Sequence, residues 1–153
     1  MINSKEILAD FQFVANRISQ FSLDTKDIES KGAKAQVSVD FDYDILQLEE
    51  EEERYFSIIE FTVQVKAKVK NAVIFRINLK IQGIFIGNPQ KLTLERFKEM
   101  LELNGVSTLS QLCRAYILSV SALSGINPPI KLPMINVLSL RNKKEKNIES
   151  KDS

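Results

Sequence analysis

The fold is decided by one continuous stretch, from Phe61 to Phe85, which reads FTVQVKAKVKNAVIFRINLKIQGIF. Apolar residues alternate with mostly polar ones on both sides of Lys70-Asn71, a dipeptide placed where a tight turn belongs. Such alternation, rich in β-branched and aromatic residues, is typical of strands that bury one face. The stretch therefore predicts two long antiparallel strands joined by a hairpin, within a meander-like sheet.

A third strand precedes this hairpin. From Val37 to Ile45, apolar residues alternate with polar ones, which predicts a strand with one wet face. Phe56 and Ile58 fall out of phase with the alternation that begins at Phe61, so we expect a bulge near Ile58-Ile59.

The N-terminal region is ambiguous, because its apolar spacing between Lys5 and Asp24 fits a helix in one part and a strand in another. We predict a short helix or coil, then a strand near Arg17–Asp24. The polar segment from Asp27 to Ala35 predicts a loop.

The second half of the chain has helical periodicity. Thr93 can cap a short helix that ends at Asn104-Gly105, and Thr108-x-x-Gln111 resembles a capping box that opens a longer helix ending at Gly125. The longer helix is apolar around much of its circumference. One of its sides can lie on the sheet, whereas the other needs a second subunit or a ligand.

Two segments follow this helix. Residues 126–135 are apolar but contain three prolines, so we expect an extended segment that is not a central strand. Arg141 to Ser153 is rich in charged and small polar residues and predicts a solvated, disordered tail. We therefore divide the chain into a domain over residues 1–140 and a tail over residues 141–153.

Composition removes several classes of function. The 153 residues include 21 Lys and Arg against 20 Asp and Glu, no His, and one cysteine, Cys113. This balance argues against nucleic acid as a partner, and the missing histidine removes the usual general base and the usual zinc ligand. We also find no signal peptide, no apolar run long enough for membrane insertion and no phosphate-binding glycine loop. We expect a cytoplasmic protein that is not an enzyme and needs no cofactor.

Several short motifs follow one another along the chain: Phe11-Gln12-Phe13, Gln82-Gly83-Ile84-Phe85-Ile86, Arg114 with Ile117, Gly125, and Pro128-x-Ile130-x-Leu132-Pro133-x-Ile135-Asn136. Their order and spacing resemble those of the bacterial protein-export chaperone family SecB. The resemblance implies an α+β fold, a four-stranded antiparallel sheet with helices on one face, assembled as a dimer of dimers. It also implies that unfolded client polypeptides are held in apolar grooves and passed to the motor SecA. A subset of similar proteins protects the antitoxin of a toxin–antitoxin system.

The sequence departs from the export pattern where the motor docks. Asp24 retains one of the family's outer-face acids, but Gln20 and Asn78 stand in place of two others. Ser110 replaces a proline early in the long helix, and the final helix looks short or missing. SecA therefore remains only one possible partner.

Candidate site residues fall into three sets. The client-binding groove is predicted from Tyr116, Val120, Ile126, Pro128, Ile130, Leu132 and Met134. The oligomer interface is predicted from Leu112, Ala115, Ser119 and Ala122. A third set, Asp40, Asp42 and Asp44, is interpreted first as a solvated sheet face and second as a docking surface for a basic partner. Cys113 is interpreted as an inert core thiol.

We predict an ATP-independent holdase that binds non-native polypeptides by mass action and serves protein export. One alternative is a SecB-like chaperone dedicated to an antitoxin. The other is a small-ligand binding protein with a cavity between sheet and helices.

Overall fold

The protein is an antiparallel sheet of four strands with helices on one face, as the sequence predicts. This computed structural model describes residues 1–26 and 34–152. The strands are β1 (Phe11–Thr25), β2 (Gln36–Glu50), β3 (Tyr55–Val69) and β4 (Ala72–Gly87). They lie in the order β1-β4-β3-β2, so β1 and β2 form the two edges. Most of the loop predicted before β2 lies outside the described residues.

The hairpin between β3 and β4 turns at the predicted dipeptide. Lys70 and Asn71 both have positive φ, at 48° and 68°, and Val69 pairs with Ala72. Two successive residues with positive φ are what a type I′ turn requires, and its twist matches that of the flanking strands. The hairpin prediction is confirmed.

The bulge lies at the predicted place but belongs to the neighbouring strand. Ile45 pairs with Ile59 and Gln47 with Ile58, which leaves Leu46 of β2 as the extra residue. β1 is longer than predicted, because the chain is already extended from Phe11 and only Ser4–Glu6 forms a helical turn. The register of β1 against β4 shifts at two points, and these shifts interrupt the alternation that would have identified the strand.

The helical layer is one nearly continuous rod. Helix α1 (Leu94–Met100) is capped by Thr93, whose hydroxyl oxygen accepts from the backbone N–H of Arg96 at 3.1 Å, as predicted. A π-helical turn (Leu101–Gly105) leads directly into α2 (Val106–Leu123).

The predicted break between the two helices is therefore wrong, and so is the capping box at Thr108, whose hydroxyl donates to the Asn104 carbonyl at 2.8 Å. Gly105 allows the helical layer to pack closely on the sheet, because a Cβ at this position would lie 2.8 Å from Ile59 Cδ1.

The core lies between the helical layer and one face of the sheet. The buried positions of β3 and β4 alternate along each strand, and they meet Phe97 of α1 and Leu109, Cys113 and Ile117 of α2, all fully buried. Burial raises the pKa of the Cys113 thiol to about 12. The opposite sheet face, the outer face, carries the half-buried side chains that alternate with these buried positions on β3 and β4.

A third helix replaces the predicted disordered tail. Helix α3 spans Val137–Asp152, so the predicted domain boundary at residue 140 falls inside it. Asn136 begins α3, because its side-chain oxygen accepts from the backbone N–H of Ser139 at 3.0 Å. Val137 and Leu140 pack against the core. The predictions of a missing final helix and of a disordered segment up to Asp152 are wrong, and Ser153 lies outside the described residues.

Candidate functional site: an apolar flank between β1 and α2

Helix α2 runs along the sheet beside β1. Near its start, Leu109 approaches Gly83 so closely that a Cβ on the glycine would lie 2.7 Å from Leu109 Cδ2. Two turns later, the ring of Tyr116 makes an edge-to-face contact with Phe21 of β1, with 5.4 Å between centroids. One flank of α2 therefore follows the inner face of β1.

This flank leaves apolar side chains uncovered. Ile18 pairs with Ile81, which lies on β4 between Gly83 and Leu79, the residue that pairs with Phe21. Ile18 is 40% exposed. The ring of Phe13 contacts the buried ring of Phe85 in a tilted arrangement, with 5.2 Å between centroids, and Phe13 is 37% exposed. We define the β1 flank as Phe13, Ile18 and Phe21 of β1 with Tyr116 and Val120 of α2.

The backbone of β1 adds a second binding capacity. Among the residues that the structure describes, β1 pairs with β4 alone, so its other side offers backbone N–H and C=O groups along an edge. At the first register shift, Val14 is 55% exposed beside this edge. An apolar surface next to an open strand edge suits an extended polypeptide, which can contribute side chains to one and main-chain hydrogen bonds to the other.

The residues predicted for the groove do not line one groove. The backbone N–H of Ile130 donates to Ser121 Oγ at 2.8 Å, and the sulfur of Met134 lies 3.0 Å from Arg114 Nη1. Because successive helical residues are offset by roughly 100°, Ser121 and Arg114 lie on the opposite flank of α2 from Tyr116. The proline-rich segment thus covers one flank of the helix, whereas Tyr116 and Val120 lie on the other.

Members of the proline-rich segment also differ in exposure. Leu132 is 2% exposed and belongs to the core, so it offers no surface to a client. Ile126 and Ile130 are half-buried against that core, whereas Pro128 and Met134 are exposed. The segment therefore mainly covers the hydrophobic core.

The predicted interface residues lie on the crest of α2, away from the sheet. Ala115, Ser119 and Ala122 are exposed there, and Leu112 is half-buried and packs against the core. Small side chains on a crest permit another helix to approach closely.

The predicted docking residue, Asp24, is exposed on the outer face and pairs with Arg76. Gln20 pairs with Lys80 on the same face. The amide of Asn78 donates to Ser22 Oγ at 3.3 Å. The surroundings of Asp24 are therefore mixed in charge.

Two of the three aspartates on β2 bind a helix of the same chain. Lys144 Nζ of α3 lies 2.8 Å from Asp42 Oδ1 and 3.0 Å from Asp44 Oδ1. Partial burial works against the charge on Lys144, but these hydrogen bonds outweigh it and raise its pKa. Asp42 and Asp44 stay 61% and 60% exposed, in agreement with a solvated face, and they also hold α3 against the β2 edge.

Sequence reasoning missed the β1 half of the flank. The motif Phe11-Gln12-Phe13 alternates as a strand does. The two register shifts of β1 then change the spacing, so the sequence alone does not show that Phe13, Ile18 and Phe21 share one face. Among residues 1–26 and 34–152, no three acidic or cysteine side chains come together as metal ligands. Within these same ranges, none of the helices is long and apolar enough to cross a membrane.

The sheet order and the helical layer match the fold of a solved SecB-like chaperone. The SecB-like chaperone Rv1957 of Mycobacterium tuberculosis, solved in complex with a ChAD peptide from the Rv1956 HigA1 antitoxin, superposes with a TM-score of 0.65. It is 10% identical, and the match covers 83% of this chain and 91% of that one.

Two further similarities are to proteins whose names state no function. A protein of unknown function from Streptococcus agalactiae superposes with a TM-score of 0.47 at 10% identity, covering 80% of this chain and 96% of that one. In sequence, the uncharacterized protein MJ0357 of Methanocaldococcus jannaschii is 23% identical over 154 residues, covering 98% of this chain and 90% of that protein. No family model matches the chain.

Proposed function

We propose that the protein is an ATP-independent holdase that binds aggregation-prone polypeptide segments along the β1 flank. The observation that carries this proposal is the pairing of exposed apolar side chains, Phe13 and Ile18, with the open edge of β1. Apolar contacts are not directional, and main-chain hydrogen bonds are independent of sequence, so such a surface accepts unfolded chains. Masking apolar client surface suppresses aggregation.

A dedicated client, such as an antitoxin, is better supported than general export. The SecB-like neighbour was solved with a peptide from an antitoxin, and its chain matches this one over most of the length. The export role needs an acidic docking face for SecA, and Gln20 and Asn78 replace two of its acids while Asp24 lies beside Arg76. We therefore propose one client of this kind, with SecA as the less supported partner.

Self-association accompanies this function in our proposal. The crest of α2 presents Ala115, Ser119 and Ala122 to solvent. A twofold arrangement would bring the same surface from each copy together. The solution mass tests the proposal directly: a dimer or tetramer supports it, a stable monomer contradicts it, and Ala115→Glu should lower the mass if the crest is the contact.

The function is tested by aggregation and binding assays. The protein should slow the light scattering of an aggregation-prone antitoxin encoded beside its gene, and it should do so without ATP. Ile18→Ser should weaken binding of that client roughly tenfold or more, because a buried isoleucine side chain contributes ~1.5–3 kcal/mol.

Ile148→Ser is the matched control, since Ile148 is 52% exposed on α3, which lies at the β2 edge of the sheet. It removes a similar side chain outside the β1 flank and should leave binding unchanged. Protection of several unrelated unfolded proteins would indicate the export role instead. Protection of no polypeptide at all would overturn the holdase proposal.

A further inference from the structure

The outer face of the sheet has an apolar quartet that the holdase function does not use. Ile84 pairs with Ile58 and Ile86 with Phe56, so these four half-buried side chains form two adjacent rows on β4 and β3. Ala15 of β1 extends the first row, because it pairs with Ile84. A shallow depression of ≈ 430 Å³ lies at this end of the quartet, beside Arg17 and Gln82. Its volume is within the range of binding pockets.

A positioned arginine borders the quartet. Arg17 Nε donates to Gln82 Oε1 at 2.8 Å, and Gln82 Nε2 donates to Glu60 Oε2 at 2.8 Å. These residues form the next row of the sheet, since Arg17 pairs with Gln82 and Gln82 with Glu60. The hydrogen bond through Nε holds the guanidinium beside the depression, and its terminal nitrogens have no hydrogen-bond partner within residues 1–26 and 34–152.

The charge of Arg17 is not neutralised by its neighbours. The nearest acid of its row, Glu60, is engaged by Gln82, by the Ser19 hydroxyl and by Lys80 Nζ at 3.6 Å. Among residues 1–26 and 34–152, no carboxylate lies within salt-bridge distance of Arg17. A fixed, uncompensated guanidinium next to apolar side chains favours a ligand that brings both an apolar group and a carboxylate.

We propose that this outer-face site binds an extended segment of a partner protein in which an acidic residue lies two positions from an apolar residue. The apolar side chain would pack on Ile58 and Ile84, and the carboxylate would meet Arg17. The row of Arg17 is one step from the row of Ala15 along the strands, a distance of about 6.6–6.8 Å. The same spacing separates side chains at positions i and i+2 on one face of an extended chain. The site lies on the sheet face opposite the β1 flank, so it is a second surface.

The test uses a fluorescein-labelled peptide, Ser-Leu-Ser-Leu-Ser-Glu-Ser, and its counterpart with Lys in place of Glu. Fluorescence anisotropy should show about tenfold tighter binding of the Glu peptide, a difference that shrinks at 0.5 M salt. Arg17→Gln should remove the preference and Arg17→Glu should reverse it. Ile84→Thr should weaken binding of both peptides, because it removes apolar contact area.

Two controls separate this surface from others. Arg76→Gln removes a cation from the far end of the outer face, and Ile18→Thr changes the β1 flank; neither should alter the Glu preference. Equal binding of the two peptides, or insensitivity to Arg17→Glu, overturns the proposal. A change in solution mass with Arg17→Gln would assign the site to a second copy of this chain and would also overturn it. Loss of the preference in Ile18→Thr would place the peptide on the β1 flank instead.

Discussion

The phenol of Tyr43 on β2 donates a hydrogen bond of 3.0 Å to the Glu102 carboxylate in the π-helical turn. Tyr43 is 3% exposed, and burial together with this carboxylate raises its pKa far above the usual range. The bond joins an edge strand to the helical layer at a point where α3 also meets the sheet.

Tyr43→Phe should therefore destabilise the protein by about 1–2 kcal/mol, because a hydrogen bond to a charged group is lost and Glu102 keeps only partial access to water. Urea unfolding measures the change. Tyr116→Phe is the control, since no hydrogen bond of the Tyr116 hydroxyl is found within the described ranges. Equal losses in the two variants would contradict the role given to Glu102.

Lys144→Ala should release α3 from the β2 edge. The side chain binds Asp42 and Asp44 and lies over the Tyr43 ring, 5.1 Å from its centroid. Hydrogen exchange of α3 amides should accelerate in this variant while α2 amides stay protected. Lys146→Ala, on the same helix, should leave exchange unchanged, and an identical effect of both substitutions would contradict the docking role.

The same contact predicts a dependence on alkaline pH. Because the pKa of Lys144 is raised in the folded state, its contribution to stability is complete below the unfolded value of about 10.4 and is lost as the pH rises through the folded pKa. The stability difference between the wild type and Lys144→Ala should therefore be constant from pH 7 to 9 and shrink above about pH 10.4. Chemical denaturation across this range measures it, and a difference that grows with pH would be incompatible with the ion pair.

Glu60 should contribute to the acid limb of the curve of stability against pH, the range in which stability falls as the pH falls. The hydrogen bond from Gln82 is the largest influence on Glu60 and outweighs partial burial, so its pKa is lowered. Its contribution is present above the unfolded value of about 4.3 and is lost as the pH falls through the folded pKa. Glu60→Gln should flatten this limb, whereas Glu95→Gln on exposed α1 should not. An unchanged limb in Glu60→Gln would show that the row does not stabilise the charged form.

Gly83→Ala should destabilise the protein by about 1–3 kcal/mol through overpacking. The added methyl group would lie 2.7 Å from Leu109 Cδ2 and 2.9 Å from Phe85 Cε2. In a Leu109→Ala background the cost of Gly83→Ala should fall, because the smaller side chain makes room. A double-mutant cycle by urea unfolding gives the coupling, and additive effects would contradict direct contact between helix and strand here.

The sheet was predictable where alternation was uninterrupted. In most of the stretch from Phe61 to Phe85 a residue's face follows from its position, and Lys70-Asn71 fixes the turn. The exception is a register shift beside the turn, where Ile74 is an extra residue and Val73 falls opposite Lys68. β1 was partly misread because its register shifts move residues from one face to the other. The break predicted at Gly105 failed because a glycine can mark close packing as well as a helix end, and only the position of Ile59 distinguishes the two.

The candidate site was predictable only in part. Tyr116 and Val120 are half-buried on one flank of α2, but the sequence does not show which flank of a helix each neighbour covers. The proline-rich segment looked like the other wall of a groove, yet Leu132 turns inward and Ile130 binds Ser121 on the far flank. Helix α3 was missed because its docking depends on Lys144 meeting two aspartates 100 and 102 residues away.

The two edge strands of the sheet, β1 and β2, differ in how easily they can pair with an incoming strand. β2 is lined by Asp42 and Asp44 and closed by Lys144, so an incoming strand would meet charge and a helix. Within residues 1–26 and 34–152, β1 keeps an unpaired edge, and this is the edge that we propose a client strand uses. Once a client strand pairs there, neither side of the sheet is left open to a further strand, so growth in the hydrogen-bonding direction stops after one addition.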